Sequence, residues 1–220
     1  RIVAGMAVTR PELPPDLSLG RRPTTEEAFD VGRYFEVLTH LSMQEGYTLR
    51  WVYREDKLGG FPVLYALAAG QEPFASLAEV PAGVELQSPF EHLRDDGNER
   101  SFFELVVFRI MAGQFFLVWH AAYNDAQIVC DADAAQAIVE SVNAGGFGRA
   151  LDAAQQAQVR AMTAIEPRVG LTATSAIVEL VVFSKWGGFS RHTYTVRRSF
   201  PHRIEVQKET LVRYDCGILF

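Results

Sequence analysis

His120 stands in Val118-Trp-His-Ala-Ala-Tyr-Asn-Asp125, where an imidazole, a phenol, an amide and a carboxylate fall within eight residues. A carboxylate that orients an imidazole turns it into a general base, so Asp125 beside His120 is the first combination in the chain with acid–base chemistry in it. A turn whose Asn and Asp bond to their own backbone accounts for the same residues with no chemistry at all. A second imidazole, His192, lies in His192-Thr-Tyr-Thr195, and on a strand the side chain sharing its face is Tyr194. Arg191 and Arg198 flank it, and a guanidinium holds phosphate through two parallel hydrogen bonds. The candidate catalytic residues are therefore His120, Asp125 and His192. The candidate ligand-binding residues are Trp119, Tyr123, Asn124, Arg191, Tyr194 and Arg198.

The segment His192-Thr-Tyr-Thr195 resembles, at this one place, the His-x-Thr/Ser motif of the two-histidine phosphoesterases, whose hydroxyl is directed at phosphate. Tyr194 stands where that motif has Thr or Ser, and the second copy would be His120-Ala-Ala, which lacks the hydroxyl. The resemblance covers four residues and does not assign the chain to that family. Glu104 and Glu179 interrupt apolar runs, and a carboxylate in an apolar setting can serve as an acid or base. The structural readings are a Glu104 that reaches solvent at a strand end, and a Glu179 opposite Val196 and diagonal to Arg198.

No Gly-rich phosphate loop, GxSxG elbow, HExxH or zinc spacing occurs, and no metal or cofactor is expected. Cys130 and Cys216 are too few for a disulfide framework, which makes a reduced, cytoplasmic compartment the simplest reading. Lys and Arg total 21 against 27 Asp and Glu, a net charge of −6 that gives no general attraction to nucleic acid or an anionic membrane. The deficit is N-terminal: residues 1 to 100 hold 10 basic and 16 acidic side chains, and the remainder 11 of each. One basic stretch stands out, Lys185 to Arg213, with seven basic residues against Glu205 and Glu209 and with Trp186, Phe189, Tyr194 and Phe200 interleaved. Nucleic-acid binding there would weaken steeply with salt. No run of the roughly 18 apolar residues that a membrane helix needs is present.

Positioning these residues falls to the following elements. Four of the ten prolines lie in residues 1 to 23, read as an extended arm. Thr24-x-x-Glu27 fits a capping box for a helix over 25–45, with Val31, Tyr34, Phe35, Leu38 and Leu41 on one stripe. Residues 47–53 and 61–68 read as a hairpin around Glu55-Asp-Lys-Leu-Gly-Gly60. The run 101–110, returning over 114–122 after Ala112-Gly113, is apolar on both faces and reads as a central hairpin, followed by a strand at 127–130. Helices are expected over 132–142 and 147–165, and strands over 175–185, 189–198, 203–208 and 211–218. Glu-Leu-Val-Val-Phe occurs at 104–108 and again at 179–183; an internal duplication and chance recurrence of strand-favouring residues both account for it.

The resulting expectation is an α+β fold with a mainly antiparallel sheet, in which central hairpins 101–122 and 175–198 are packed by the three helices. A single domain over 24–220 follows the arm. For function, the leading expectation is a non-enzymatic module that binds a protein or a small molecule. The alternative is a phosphoesterase-like hydrolase, which needs His120 and His192 about 6 to 8 Å apart across a cleft.

Overall fold

The computed structural model describes residues 1–12, 29–56, 59–119, 125–145 and 148–218, with Asp56 and Trp119 described through their backbone alone. They form an α+β fold with antiparallel sheets. Two compact units emerge, Arg1–Ala122 with Arg197–Arg203, and Tyr123–Val196 with Ile204–Phe220.

The first unit holds helices α1 (Ile2–Thr9) and α2 (Tyr34–Val37), strands β1 (Leu41–Met43), β2 (Tyr47–Asp56), β3 (Gly59–Ala68) and β4 (Leu93–Asp95), helix α3 (Glu99–Met111) and the short strand β5 (Val118–Trp119). The expected hairpin of residues 47–68 is present, paired from Tyr47↔Ala68 to Asp56↔Gly59, and β5 adds to the start of β3. Strand β1 pairs with β4 in a separate two-stranded sheet. Phe29, Trp51, Phe115 and Phe116 meet edge to face, and the Trp51 indole N–H donates to the Phe29 carbonyl at 2.9 Å, so the aromatic core leaves no polar atom of that indole unpaired.

Residues 101–110, expected as a central strand, are instead the body of α3. Asn98 caps it by accepting from the Ser101 N–H at 2.9 Å, and Arg100 donates to Glu104 one turn on at 3.1 Å. A run apolar on all sides is equally the signature of a buried helix, and Phe102, Leu105, Val106, Val107 and Phe108 are all buried. The Glu-Leu-Val-Val-Phe echo is thus helical at 104–108 and extended at 179–183, which removes the duplicated hairpin.

Three further expectations are corrected. Residues 2–9 form α1 with Met6 fully buried, in place of an extended arm. Of the helix expected over 25–45, the described part contains only the 3-10 turn Val31–Arg33 and α2, because Leu38 leaves helical angles and the chain turns into β1. The helix expected over 147–165 shrinks to Ala153–Arg160. Gly148 takes a left-handed φ of 92°, where a Cβ would lie 2.7 Å from that of Cys216, and a capping box between Asp152 and Gln155 opens the helix only afterwards.

The second unit holds β6 (Gln127–Val129), α4 (Ala132–Asn143), α5 (Ala153–Arg160), β7 (Arg168–Leu171), β8 (Ser175–Ser184), β9 (Gly188–Arg197) and β10 (Ile204–Val212). Helix α4 matches expectation to a residue and is capped by Asp131. The sheet runs β10-β9-β8-β6, and β7 shares with β6 one edge of β8: β6 meets residues 181–183 and β7 meets residues 176–179. Two strands were expected over 203–218; one is present, carrying a bulge between Thr210 and Val212. On one face of the sheet Val181, Phe183 and Phe189 pack with Ala135, Ile138 and Val139 of α4 and Val159 of α5.

Candidate functional site

Side chains alternate along a strand, so Glu179 lies two residues beyond Val181 on the helix-covered face of β8, and Arg191 lies two beyond Phe189 on that of β9. The charged pair therefore continues the apolar face past the Val181–Phe189 core. Arg168 of β7 is the direct cross-strand partner of Glu179. Glu166 and Ala164, from the connection between α5 and β7, and Leu180 complete the wall of a recess of about 120 Å³. One Arg191 amino group donates to the Thr163 carbonyl at 3.0 Å, and the other stands 3.6 Å from Glu209, which does not line the recess. Among the described residues no ion pair joins Arg168 to Glu166 or Glu179. Two arginines and two glutamates thus line one small space, with the Arg191 guanidinium held by the Thr163 carbonyl and beside Glu209, which lies outside that lining.

Arg191 is the expected ligand-binding residue that lines this recess. The signal for Arg168 was missed because residues 168–171 carry only a four-residue strand, and Glu179 was expected beside Arg198 and not beside β7. Arg198 lies in the first unit, its guanidinium 3.5 Å from the Gly97 carbonyl. Trp119 closes β5 opposite Gly59. Asp125 precedes β6 in the second unit. His120, Tyr123 and Asn124 lie outside the described residues, so the expected His120–His192 separation does too.

His192 sits on the opposite face of β9 from Arg191, buried between its neighbours on the strand. Its Nε2 is 2.9 Å from the Ser190 hydroxyl and its Nδ1 is 3.1 Å from the Tyr194 hydroxyl. Burial, helped by the positive charge of Lys208 on the paired strand, pushes its pKa down to about 4. It is a neutral imidazole at neutral pH with both nitrogens engaged. Burial also raises the Cys130 thiol, with the Asp131 carboxylate adding to it, which is the reverse of an activated nucleophile.

A second polar cluster, absent from the expectations above, gathers at the start of α3 in the first unit. Asp95 Oδ2 is 2.6 Å from His202 Nε2, and its Oδ1 accepts from the Gly97 N–H at 2.6 Å and lies 3.0 Å from the Ser101 hydroxyl. His202 Nδ1 is 2.8 Å from the Arg197 carbonyl. Burial works against the imidazolium, but its bonds to Asp95 and the Arg197 carbonyl and the Asp95 charge outweigh it and raise the His202 pKa. Burial likewise works against the Asp95 carboxylate, and hydrogen bonds from His202, Gly97 and Ser101 with the His202 charge outweigh it and hold that pKa down. Glu104, fully buried, accepts from the His40 N–H at 2.8 Å and from Arg100 at 3.1 Å. Ser, Asp and His meet here, yet the carboxylate stands between the other two. The imidazole is turned away from the hydroxyl it would have to deprotonate in a catalytic triad, so the cluster is a clamp on residues 197–203.

Among the described residues no group of three or more His, Cys, Asp or Glu side chains is placed to hold a metal ion, and no helix is long and apolar enough to cross a membrane. No family model, no curated protein and no solved structure matches the chain.

Proposed function

We propose that the protein is a non-enzymatic module that binds a small molecule bearing both an anionic and a cationic group, in the recess between β7, β8 and β9. The observation that carries this reading is the set of opposed charges, Arg168 and Arg191 against Glu166 and Glu179, around a space of about 120 Å³. Pockets for drug-sized ligands run from roughly 300 Å³ upward, so a nucleotide is too large and a molecule the size of a small amino acid is not. A carboxylate on the ligand would take the guanidinium hydrogen bonds, and an ammonium would lie between the glutamates. Because the walls are partly open to water, the affinity should be modest, with Kd on the order of 1 mM.

The hydrolase alternative draws little from His192. With both nitrogens engaged and a pKa of about 4, it is a poor proton acceptor at neutral pH.

The test is a titration of the 15N-labelled chain with small zwitterionic amino acids, small dicarboxylates and inorganic phosphate, up to about 20 mM, well past the expected Kd. Saturable shifts at residues 164–166, 168, 179 and 191 for the zwitterions support the reading. Arg191→Gln and Arg168→Gln should each weaken binding about tenfold, the effect of losing roughly 1.4 kcal/mol of contact, while His192→Gln leaves it alone. Absence of saturation for every probe, or indifference to both arginine substitutions, sinks it. So does a reproducible turnover abolished by His120→Ala in protein that still melts cooperatively.

A further inference from the structure

Among the described residues β10 is the outermost strand of the five-stranded sheet, nine residues long, and residues 205–210 are exposed. An open edge of this length presents backbone N–H and C=O groups to any strand that fits them, and natural edges are blunted with charge so that few registers do. The charges on β10 can be tested register by register.

A second copy related by a two-fold axis through the sheet pairs β10 antiparallel with itself, and the axis must pass through a residue, because opposed side chains share a face. An axis through Ile204, the first residue of β10, sets Arg203 against Glu205 but opposes most of the strand to residues that precede it, and axes through Glu205, Lys208 or Glu209 set each of those charges against its own copy. An axis through Gln207 opposes Glu205 to Glu209 twice. Axes at Thr210 or beyond fall on the bulge between Thr210 and Val212, where the ladder is irregular. An axis through Val206 sets Val206 against itself, Glu205 against Gln207 and Ile204 against Lys208, with no like charges opposed. Just outside the strand it sets Arg203 against Glu209 twice, with opposite signs. Arg203 directly precedes β10 in the chain, its carbonyl accepts from the Arg197 N–H at 2.9 Å, and it is exposed. Val206 is itself one of the few large apolar side chains open to solvent, at 37%.

We propose that two copies of the chain associate edge to edge through β10, in antiparallel register centred on Val206, extending the sheet from five strands to ten. This inference does not require a ligand in the charged recess, although Glu209 also stands 3.6 Å from Arg191. One strand pair buries far less than the roughly 800 Å² per partner of a stable interface, so the dimer is weak and forms at high concentration.

Sedimentation equilibrium of the full chain over about 5 to 500 μM, the range in which so small an interface becomes populated, should show monomer giving way to dimer. Val206→Glu, which opposes two carboxylates at the axis, should weaken association at least about tenfold with the far-ultraviolet circular dichroism unchanged. Glu209→Arg should also weaken it, and the double exchange Arg203→Glu with Glu209→Arg should restore it. A chain that is monomeric throughout the range overturns the proposal. A dimer that survives Val206→Glu, or that Arg203→Glu with Glu209→Arg fails to restore after Glu209→Arg has weakened it, overturns it equally.

Discussion

Two buried histidines in this protein have pKa values displaced in opposite directions, and the signs give each a separate signature in stability. His192 has a folded pKa of about 4, below the value of roughly 6.5 that an unfolded chain provides. As pH falls from about 6.5 towards 4 the unfolded chain takes up that proton first, so His192 makes the fold less stable on acidification within this window. Urea midpoints measured at steps across it should fall less steeply for His192→Gln than for the wild type. His202 is raised, so its contribution is complete below about 6.5 and is lost as pH rises through its folded value. Asp95 is lowered, so its contribution is complete above about 4 and is lost as pH falls through its folded value. The pair is therefore fully effective between those limits. His202→Leu should cost about 3 kcal/mol at pH 5.5 by leaving a buried carboxylate without its cation, and the loss should shrink as the pH rises through the folded value of His202. Denaturation of both proteins at steps upward from pH 5.5 tests this. The Asp95–His202 contact was not legible in the sequence, since 107 residues separate the partners and nothing local marks either one. The charged recess was half legible: Arg191 stood out in the basic stretch, whereas Arg168 acquires its role only when a short strand brings it against Glu179.

At the scale of elements, Glu-Leu-Val-Val-Phe gives the clearest account of what composition decides. The same five residues are helical in α3 and extended in β8, so their own preferences decide neither outcome. What differs is the flank: Asn98 and the Arg100–Glu104 spacing precede the first copy, while Trp186-Gly187-Gly188 follows the second. Asn98→Ala should therefore cost about 1 kcal/mol through the lost cap, read as a lower midpoint in thermal or urea unfolding. Gly188 is needed for two reasons, a φ of 74° and an approach so close that a Cβ would fall on the Val212 carbonyl. Gly46 has a similar φ of 82° and open space around it. Gly188→Ala should thus destabilise by several kcal/mol and Gly46→Ala by only about 1, a difference that unfolding of the two variants side by side would show. The hairpins over 47–68 and 175–198, α4 and the antiparallel sheet could be read from periodicity and turn chemistry. The buried helix could not, because a segment covered on every side shows no period to read.

For the molecule as a whole, the chain passes from the first unit to the second after Ala122, returns for Arg197–Arg203, and goes back. The returning seven residues carry His202, and they also bring Phe200 under the Arg94 guanidinium at 3.3 Å. A fragment ending at Ala122 therefore keeps Asp95 but lacks its counter-charge, and it should melt less cooperatively than the same unit within the intact chain. Calorimetry of the fragment against the full protein measures this; equal cooperativity and midpoint would show the returning segment to be dispensable. The same threading sets an order in time. As the polypeptide leaves the ribosome, residues 1 to 122 are out roughly 80 residues before the segment that completes their clamp, an interval of about 4 to 16 s at ordinary translation speeds. For that interval the nascent first unit carries the Asp95 carboxylate without its counter-charge, and its final consolidation waits until residues 197–203 have emerged.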